Sequence, residues 1–475
     1  MVSESYRRSD VDRSPANTLG IRSFWLNSFK ESKTGNFSFW LGRRHVVGIT
    51  GHAPRKMFYD HPDLDFVSGA IILPFGVHFW PPVHDIFKPG FHTGRNNTFF
   101  LRRMQELMRT EQLARYFADL RQDARDGCDM LLHNNPNGVV KPPEIWRTVF
   151  KQNVRLFFTQ QVADDPSLFQ RAATSVDTLL HTVSHLNVLY PWLPAPPYIR
   201  RRLARRSLVK LATEIVDERL ARTQSLVDDP VKYLIESGDK REHMIEFFVS
   251  VMFISTTNAH VIAGQLLNIM AIHPEWQDKI YREIKAVGEA HSHNRDAPLV
   301  EKLASIPMEV WESTSSFPAF ELVLKETIRM WTSFGVTRLN TSPNPIPIPG
   351  SDEVVPGNTF VIYNSTEVNF SEELFPNPTK FDPERFREGR EEFKAQSYGC
   401  KLLWHTHFIT HIYHFYTHFG QRLTKRVSSA LYSSRLGRRK TPLRGYPLGQ
   451  AAADPDRGAR AGHVQMELLR REWRP

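Results

Sequence analysis

Hydrophobic and polar residues alternate along residues 36–50, NFSFWLGRRHVVGIT, around Gly42-Arg43-Arg44, which predicts two strands joined by a hairpin. Gly51 closes the second strand, and a short helix is expected from Ala53 to Tyr59. From Thr98 to about Leu132 the apolar positions recur at helical spacing with charges on the opposite face. Further helical stretches cover roughly 143–188 and 199–222. Between them the prolines of YPWLPAPPY (Pro191, Pro194, Pro196, Pro197) forbid one continuous helix. A long apolar helix is predicted from about Glu242 to Ile272, ended by His273-Pro274. Its Glu246, Asn258, His260, Gln265 and Asn268 would be costly in lipid, so a buried central helix is expected rather than a membrane span. After a helix from Phe320 to Trp331, short strand-like pieces alternate with proline turns through NPIPIPGSDEVVPGNTFVIYN to FPNPTKFDPERF. Many helices with a minority of short strands predict an α+β fold that is mostly α.

Composition changes this picture at the C-terminal end. The chain has 475 residues, 41% hydrophobic and 24% charged, enough to bury a large core. Its net charge of +10 would suggest a nucleic-acid partner, but the charge is not spread over the body. Residues 401–475 hold 14 Lys+Arg against 4 Asp+Glu, whereas residues 1–400 hold 47 of each. No nucleic-acid partner is expected. The basic run Arg200-Arg201-Arg202 with Arg205-Arg206 is expected to be a solvated helix face.

Only Cys128 and Cys400 are present, so no disulfide framework exists and a cytosol-facing location is favoured. The first thirty residues carry Arg7, Arg8, Asp10, Asp12 and Arg13 and read as neither signal peptide nor membrane anchor. The apolar stretch from Phe66 to Val83 is broken by Pro74, Pro81 and Pro82 and is expected to be buried loop and short strand.

Chemistry enters with ELVLKETIRMW. Glu326 and Arg329 stand three residues apart on one helix face, among Leu322, Leu324, Ile328 and Met330. Alone, such a pair is usually a surface ion pair; apolar neighbours imply burial, which demands further hydrogen bonds to offset desolvation. Further on, KFDPERF supplies Arg385. An E-x-x-R helix, a β region and a P-E-R-F meander in this order resemble the core of the cytochrome P450 family over residues 36–399. The resemblance implies that fold, with a long central helix and small β-sheets. It also implies a structural triad of Glu326, Arg329 and Arg385 behind a haem, and a propionate-binding Arg338 in Val336-Thr337-Arg338. Counting back from Pro274, the family's oxygen-activating stretch falls on Ile254-Ser255-Thr256-Thr257-Asn258-Ala259. Thr257 then stands where an acid is usual and Asn258 where a threonine is usual. The two are the candidate catalytic residues, and their departure from the pattern leaves two chemistries open.

The resemblance fails after Gly399. The family needs a loop like F-x-x-G-x-x-x-C-x-G, whose cysteine thiolate is the axial ligand of the iron. Here CKLLWHTHFITHIYHF follows, with no glycine turn around Cys400, so Cys400 is not expected to ligate and no metal ligand is assigned. His405, His407, His411, His414 and His418 could line a helix face around Zn²⁺, but the coding reading weakens that. Cys400-Lys401 can be encoded with the intron start GTAAG, and Tyr432-Ser433 with the intron end TACAG. Allowed codons for Leu436–Arg444, read one nucleotide later, give W-G-A-G-R-H-P-C. Residues 445–468 continue as A-G-I-R-W-A-K-L-Q-Q-T-L-I-V-A-L-A-L-A-M-F-K-W-S. Joined to the upstream flank, this reads Y-G-F-L-A-W-G-A-G-R-H-P-C-A-G. The expected organisation is a lead segment over 1–35 without a membrane anchor and a P450 domain over 36–399, incomplete at its C-terminus. Residues 400–475 form an aberrant tail of retained intron, to about residue 432, plus frame-shifted exon.

The functional expectation is a haem-thiolate monooxygenase acting on a lipophilic small molecule with electrons from NADPH-cytochrome P450 reductase. For the chain as written, haem binding is doubtful and activity is not expected. The alternatives are a P450-fold isomerase or dehydratase of lipid hydroperoxides, suggested by Asn258, and a non-catalytic remnant. The family resemblance points to the endoplasmic reticulum membrane; the chain itself, with no anchor or transmembrane helix, points to the cytosol.

Overall fold

The computed structural model describes residue 28 and residues 31–69, 86–87, 98–135, 142–182, 190, 193–222, 227–313, 315–331, 335–364 and 368–390. It divides into two compact units, one from residues 1–100, 174–210 and 332–378, the other from the remainder.

The first unit is organised by a five-stranded sheet of order β1-β2-β7-β4-β3. Strands β1 (Phe37–Leu41) and β2 (Arg44–Ile49) form the predicted hairpin, with Phe37 opposite Gly48. The turn is possible because Gly42 takes φ +64°, a left-handed conformation that costs glycine little. A helix, α1 (His52–Asp60), follows, slightly longer than expected. Then come β3 (Leu64–Asp65) and the single turn α2 (Phe66–Gly69); most of the Phe66–Val83 stretch lies outside the described residues. Strand β4 (Gly335–Asn340) pairs antiparallel with β3 and with β7 (Phe360–Asn364), and β7 runs parallel to β2. A small ladder, β5 (Ile346–Pro347) with β6 (Val354–Val355), completes the β structure. Val47, Ile49, Phe58, Val336, Val361 and Tyr363 form one hydrophobic core on this sheet.

The second unit is helical, and the helices below belong to it except for residues 99–100 and 174–210, which fall in the first unit. The periodic stretch from Thr98 is two helices, α3 (Phe99–Leu107) and α4 (Thr110–Asn134), because Arg109 takes an extended ψ of 146°. The stretch expected over 143–188 is likewise divided, into α5 (Trp146–Phe157), α6 (Gln160–Asp164) and α7 (Pro166–His181). Thr159 makes the first break by capping α6, its hydroxyl accepting from the Gln161 N–H at 3.2 Å. Asp165-Pro166 makes the second. Helix α8 (Pro196–Ala221) and the short α9 (Pro230–Glu236) lead to α10 (Arg241–Ile272). Asp229 ties this region together: it caps α9 and accepts from Thr159 at 2.8 Å and Arg219 at 3.1 Å, all buried.

Helix α10 is long and apolar enough to cross a membrane by length and composition, yet 81% of its most apolar window is buried inside the protein. It packs against α5, against α11 (Pro274–His291) and against α14 (Pro318–Trp331). Two short helices, α12 (Leu299–Ala304) and α13 (Met308–Glu312), lie between α11 and α14 in the chain.

One expectation is corrected on α8. The basic run is not a solvated face throughout: Arg201 and Arg205 are buried, while Arg200, Arg202 and Arg206 are exposed. Spacing by four residues sets Arg201 and Arg205 on one inward side of the helix. Arg201 donates to the Leu179 carbonyl, and burial pushes its pKa down to about 10.

Candidate functional site

Helix α14 places Glu326 and Arg329 one turn apart, facing inward, with 0% and 1% of their surface exposed. Arg329 grips the carboxylate with both edges of its fork, Nε to Oε2 at 2.7 Å and Nη2 to Oε1 at 2.8 Å. The third member arrives on the 3₁₀ turn Pro383–Phe386, where Pro383 presets the backbone. Arg385 Nε donates to the same Oε1 at 3.1 Å, and the Asp382 N–H reaches it at 3.0 Å. Arg385 also donates to the Lys380 carbonyl at 3.2 Å, which ties it to the chain before the turn. One buried carboxylate thus joins two guanidiniums and a backbone amide.

The turn is held from its other side too. The Phe381 ring stacks on His273 at 4.4 Å, and Lys279 pairs with Glu384 at 3.5 Å, so the junction of α10 and α11 fastens it. A further carboxylate buttresses α14 at its start. Glu283 of α11 accepts the N–H of Ala319 at 2.8 Å and of Phe320 at 3.2 Å. Burial pushes its pKa up to about 7, against the opposing pull of these two bonds.

Thr257 and Asn258 lie in the middle of α10, where their backbone is helical; their side chains are outside the described residues. Their neighbours are described. Ser255 and Thr256 are buried and donate back to the carbonyls of Val251 at 2.6 Å and Met252 at 2.8 Å. Asn153 of α5 donates to the Thr256 hydroxyl at 3.3 Å, and His260 Nδ1 lies 2.5 Å from the Thr256 carbonyl. Side-chain bonds to helix carbonyls loosen and bend a helix locally, and here they cluster where the candidate catalytic pair sits.

Arg338 belongs to the first unit, on β4. Its Nη1 donates to the Leu64 carbonyl at 2.9 Å, and its guanidinium lies over the rings of Phe58 at 5.3 Å and Tyr59 at 5.8 Å. Its Nε has no partner among the described residues, and none of their carboxylates forms an ion pair with it. Burial lowers its pKa, and the nearby Tyr59, Asp65 and Asp60 oppose that shift. A partly buried cation with an unused donor suits an anionic ligand group.

The comparisons with known proteins agree with this architecture. The cytochrome P450 family model matches residues 23–400. The chain belongs to the cytochrome P450 family. It is 55% identical over 379 residues to cytochrome P450 monooxygenase nsrP of Aspergillus novofumigatus, covering 80% of this chain and 72% of that one. It is 46% identical over 380 residues to cytochrome P450 monooxygenase AacuE of Aspergillus aculeatus, covering 79% and 75%. Among solved structures, retinoic-acid-bound cyanobacterial CYP120A1 shares the fold with a TM-score of 0.62 at 15% identity, over 86% of this chain and 88% of that one. The α+β, mostly helical P450 fold is therefore the fold of this chain.

Family and fold imply a haem cofactor, and the family implies a lipophilic substrate and a redox partner. The described residues fit that cofactor only in part. Arg338 offers an anion partner of the kind a propionate needs. Among the described residues the sole cysteine is Cys128, buried within α4; Cys400 lies outside them. No cluster of His, Cys, Asp or Glu able to hold a metal ion occurs among the described residues either. The described residues do not supply the iron ligand.

The sequence motifs reached Glu326, Arg329 and Arg385, which the structure brings together. They missed the Asp382 amide, although it stands inside the same F-D-P-E-R-F motif. They also missed Asn153 and Glu283, whose roles arise from partners far along the chain and leave no local signal.

Proposed function

We propose that this chain carries the scaffold of a cytochrome P450 monooxygenase for a lipophilic substrate, and that the polypeptide as written is catalytically silent. The observation that supports it is the contrast between two parts of the site. The buried Glu326–Arg329–Arg385 cluster is complete, whereas among the described residues no cysteine is set to ligate iron. In this reading the cluster is the structural triad behind the haem and Arg338 the propionate contact. Thr257 and Asn258 occupy the oxygen-activating part of α10. An amide at 258 would donate a hydrogen bond but relay protons poorly, so the pair would position a hydrogen-bond acceptor rather than deliver protons. The electron donor of an active form is NADPH-cytochrome P450 reductase, and its place is the endoplasmic reticulum membrane.

The test is an absorption spectrum of the purified chain after haem titration. Weak or absent haem uptake with no thiolate signature is expected. Stoichiometric haem with sulfur-ligated iron would overturn the silent reading. Asn258 also supports a second chemistry, isomerisation or dehydration of lipid hydroperoxides. A thiolate-bearing form that turns over a fatty hydroperoxide without reductase would establish it; dependence on reductase and O₂ would reject it.

A further inference from the structure

The family match ends at residue 400, although nsrP is matched over only 72% of its length. Upstream of that point the described residues form the scaffold's buried cluster, with Arg385 1% exposed against α14. Downstream, 14 basic residues and a run of histidines replace a balanced composition. A folded enzyme that lacks its iron ligand is a disagreement between cofactor and chain, and the codons behind the tail address it.

We propose that residues 400–475 are the translation of an unspliced intron and of the following exon in the wrong frame, and that the correct frame of that exon encodes the iron's thiolate ligand. This rests on the monooxygenase reading above. Cys400-Lys401 can be encoded with the intron start and Tyr432-Ser433 with the intron end. The stretch between them begins at the second nucleotide of codon 400 and ends at the second nucleotide of codon 433. Its length is therefore one nucleotide more than a whole number of codons. Excision moves the downstream reading on by one nucleotide, which is the shift that yields W-G-A-G-R-H-P-C-A-G from Leu436–Gly445. Splice signals impose no such length, so the agreement is a separate check on the same reading.

The encoded peptide has the chemistry of an iron-thiolate site. Its cysteine is written across the codons of Leu443 and Arg444. Glycines on both sides let backbone N–H groups approach the sulfur. The Arg-His pair just before it would set positive charge beside the sulfur, which favours the thiolate that binds iron. A frame chosen by chance would not yield a glycine turn, a cysteine and an amphipathic-to-apolar helix in that order.

Transcripts spanning codons 390–475 decide the first half. A shorter product is expected, joining the first nucleotide of codon 400 to the third of codon 433. If only the longer product exists where the protein is made, the inference falls. The second half is read by expressing both open frames in one host. The spliced product is expected to take up stoichiometric haem and to show a thiolate-type carbon-monoxide band, and the present chain is not. Replacing the restored cysteine by serine should abolish that band while leaving the circular dichroism unchanged. A spliced transcript whose product shows no thiolate band overturns the haem reading and leaves the splice intact, so the two failures are distinguishable.

Discussion

Glu326 is held by four hydrogen bonds at full burial. Two guanidiniums and one amide converge on a carboxylate that water does not reach. Replacing one partner of such a group strands buried charge and costs about 3–5 kcal/mol. Glu326→Gln is expected to lower unfolding stability by that order in urea denaturation, and Arg385→Ala by a similar amount. The two losses should be non-additive in the double variant, because both break the same junction. Glu283 behaves differently. Its folded pKa, about 7, lies above the ordinary carboxylate value of 4.5. The folded state therefore binds more protons between those values, and stability from this group is full below pH 4.5 and lost as pH rises toward 7. Glu283→Gln should flatten that decline in melting temperature between pH 5 and 8. The first group was legible because its three members sit in recurrent local motifs. The second was not, because a carboxylate accepting the N–H groups of Ala319 and Phe320 is defined by how α11 meets α14.

At the scale of elements, periodicity located the helices better than their interruptions. Arg109 and Thr159 lie inside stretches whose apolar spacing carries on across them, so only the backbone angles and the Thr159 cap reveal the breaks. The inward side of α8 was misread for a related reason, since a run of arginines reads as solvated until a helix turns Arg201 and Arg205 inward. The approach of α2 to β4 was also illegible. Gly69 lies so close that a Cβ there would strike the backbone of Arg338, and its carbonyl accepts from the Thr337 hydroxyl at 2.9 Å. Gly69→Ala must push the strand or the turn aside, at a cost of about 1–3 kcal/mol. Denaturant unfolding should show that loss, whereas Gly238→Ala, whose Cβ meets nothing within 4 Å, is expected to cost less despite its φ of +71°.

At the scale of the whole molecule, the charge and the fold occupy different parts of the chain. Residues 1–400 are electrically balanced, so a chain ending at Gly399 should lose retention on a cation exchanger while keeping the helical circular dichroism and melting temperature of the full chain. A large fall in melting temperature would show instead that the tail is packed against the scaffold. Family membership was legible from a few residues because the E-x-x-R helix and the P-E-R-F turn must meet. The substrate was not legible, since no motif reports the shape of a pocket.

Helix α10 carries one more consequence. Its apolar window is covered in the finished protein by α5, α11 and α14, and two of these are synthesised after it. While the ribosome is still short of residue 318, the nascent chain displays a segment that by length and hydropathy resembles a bilayer-crossing stretch. Stalled or prematurely terminated chains should therefore partition with microsomes or aggregate, and the completed chain should do so far less.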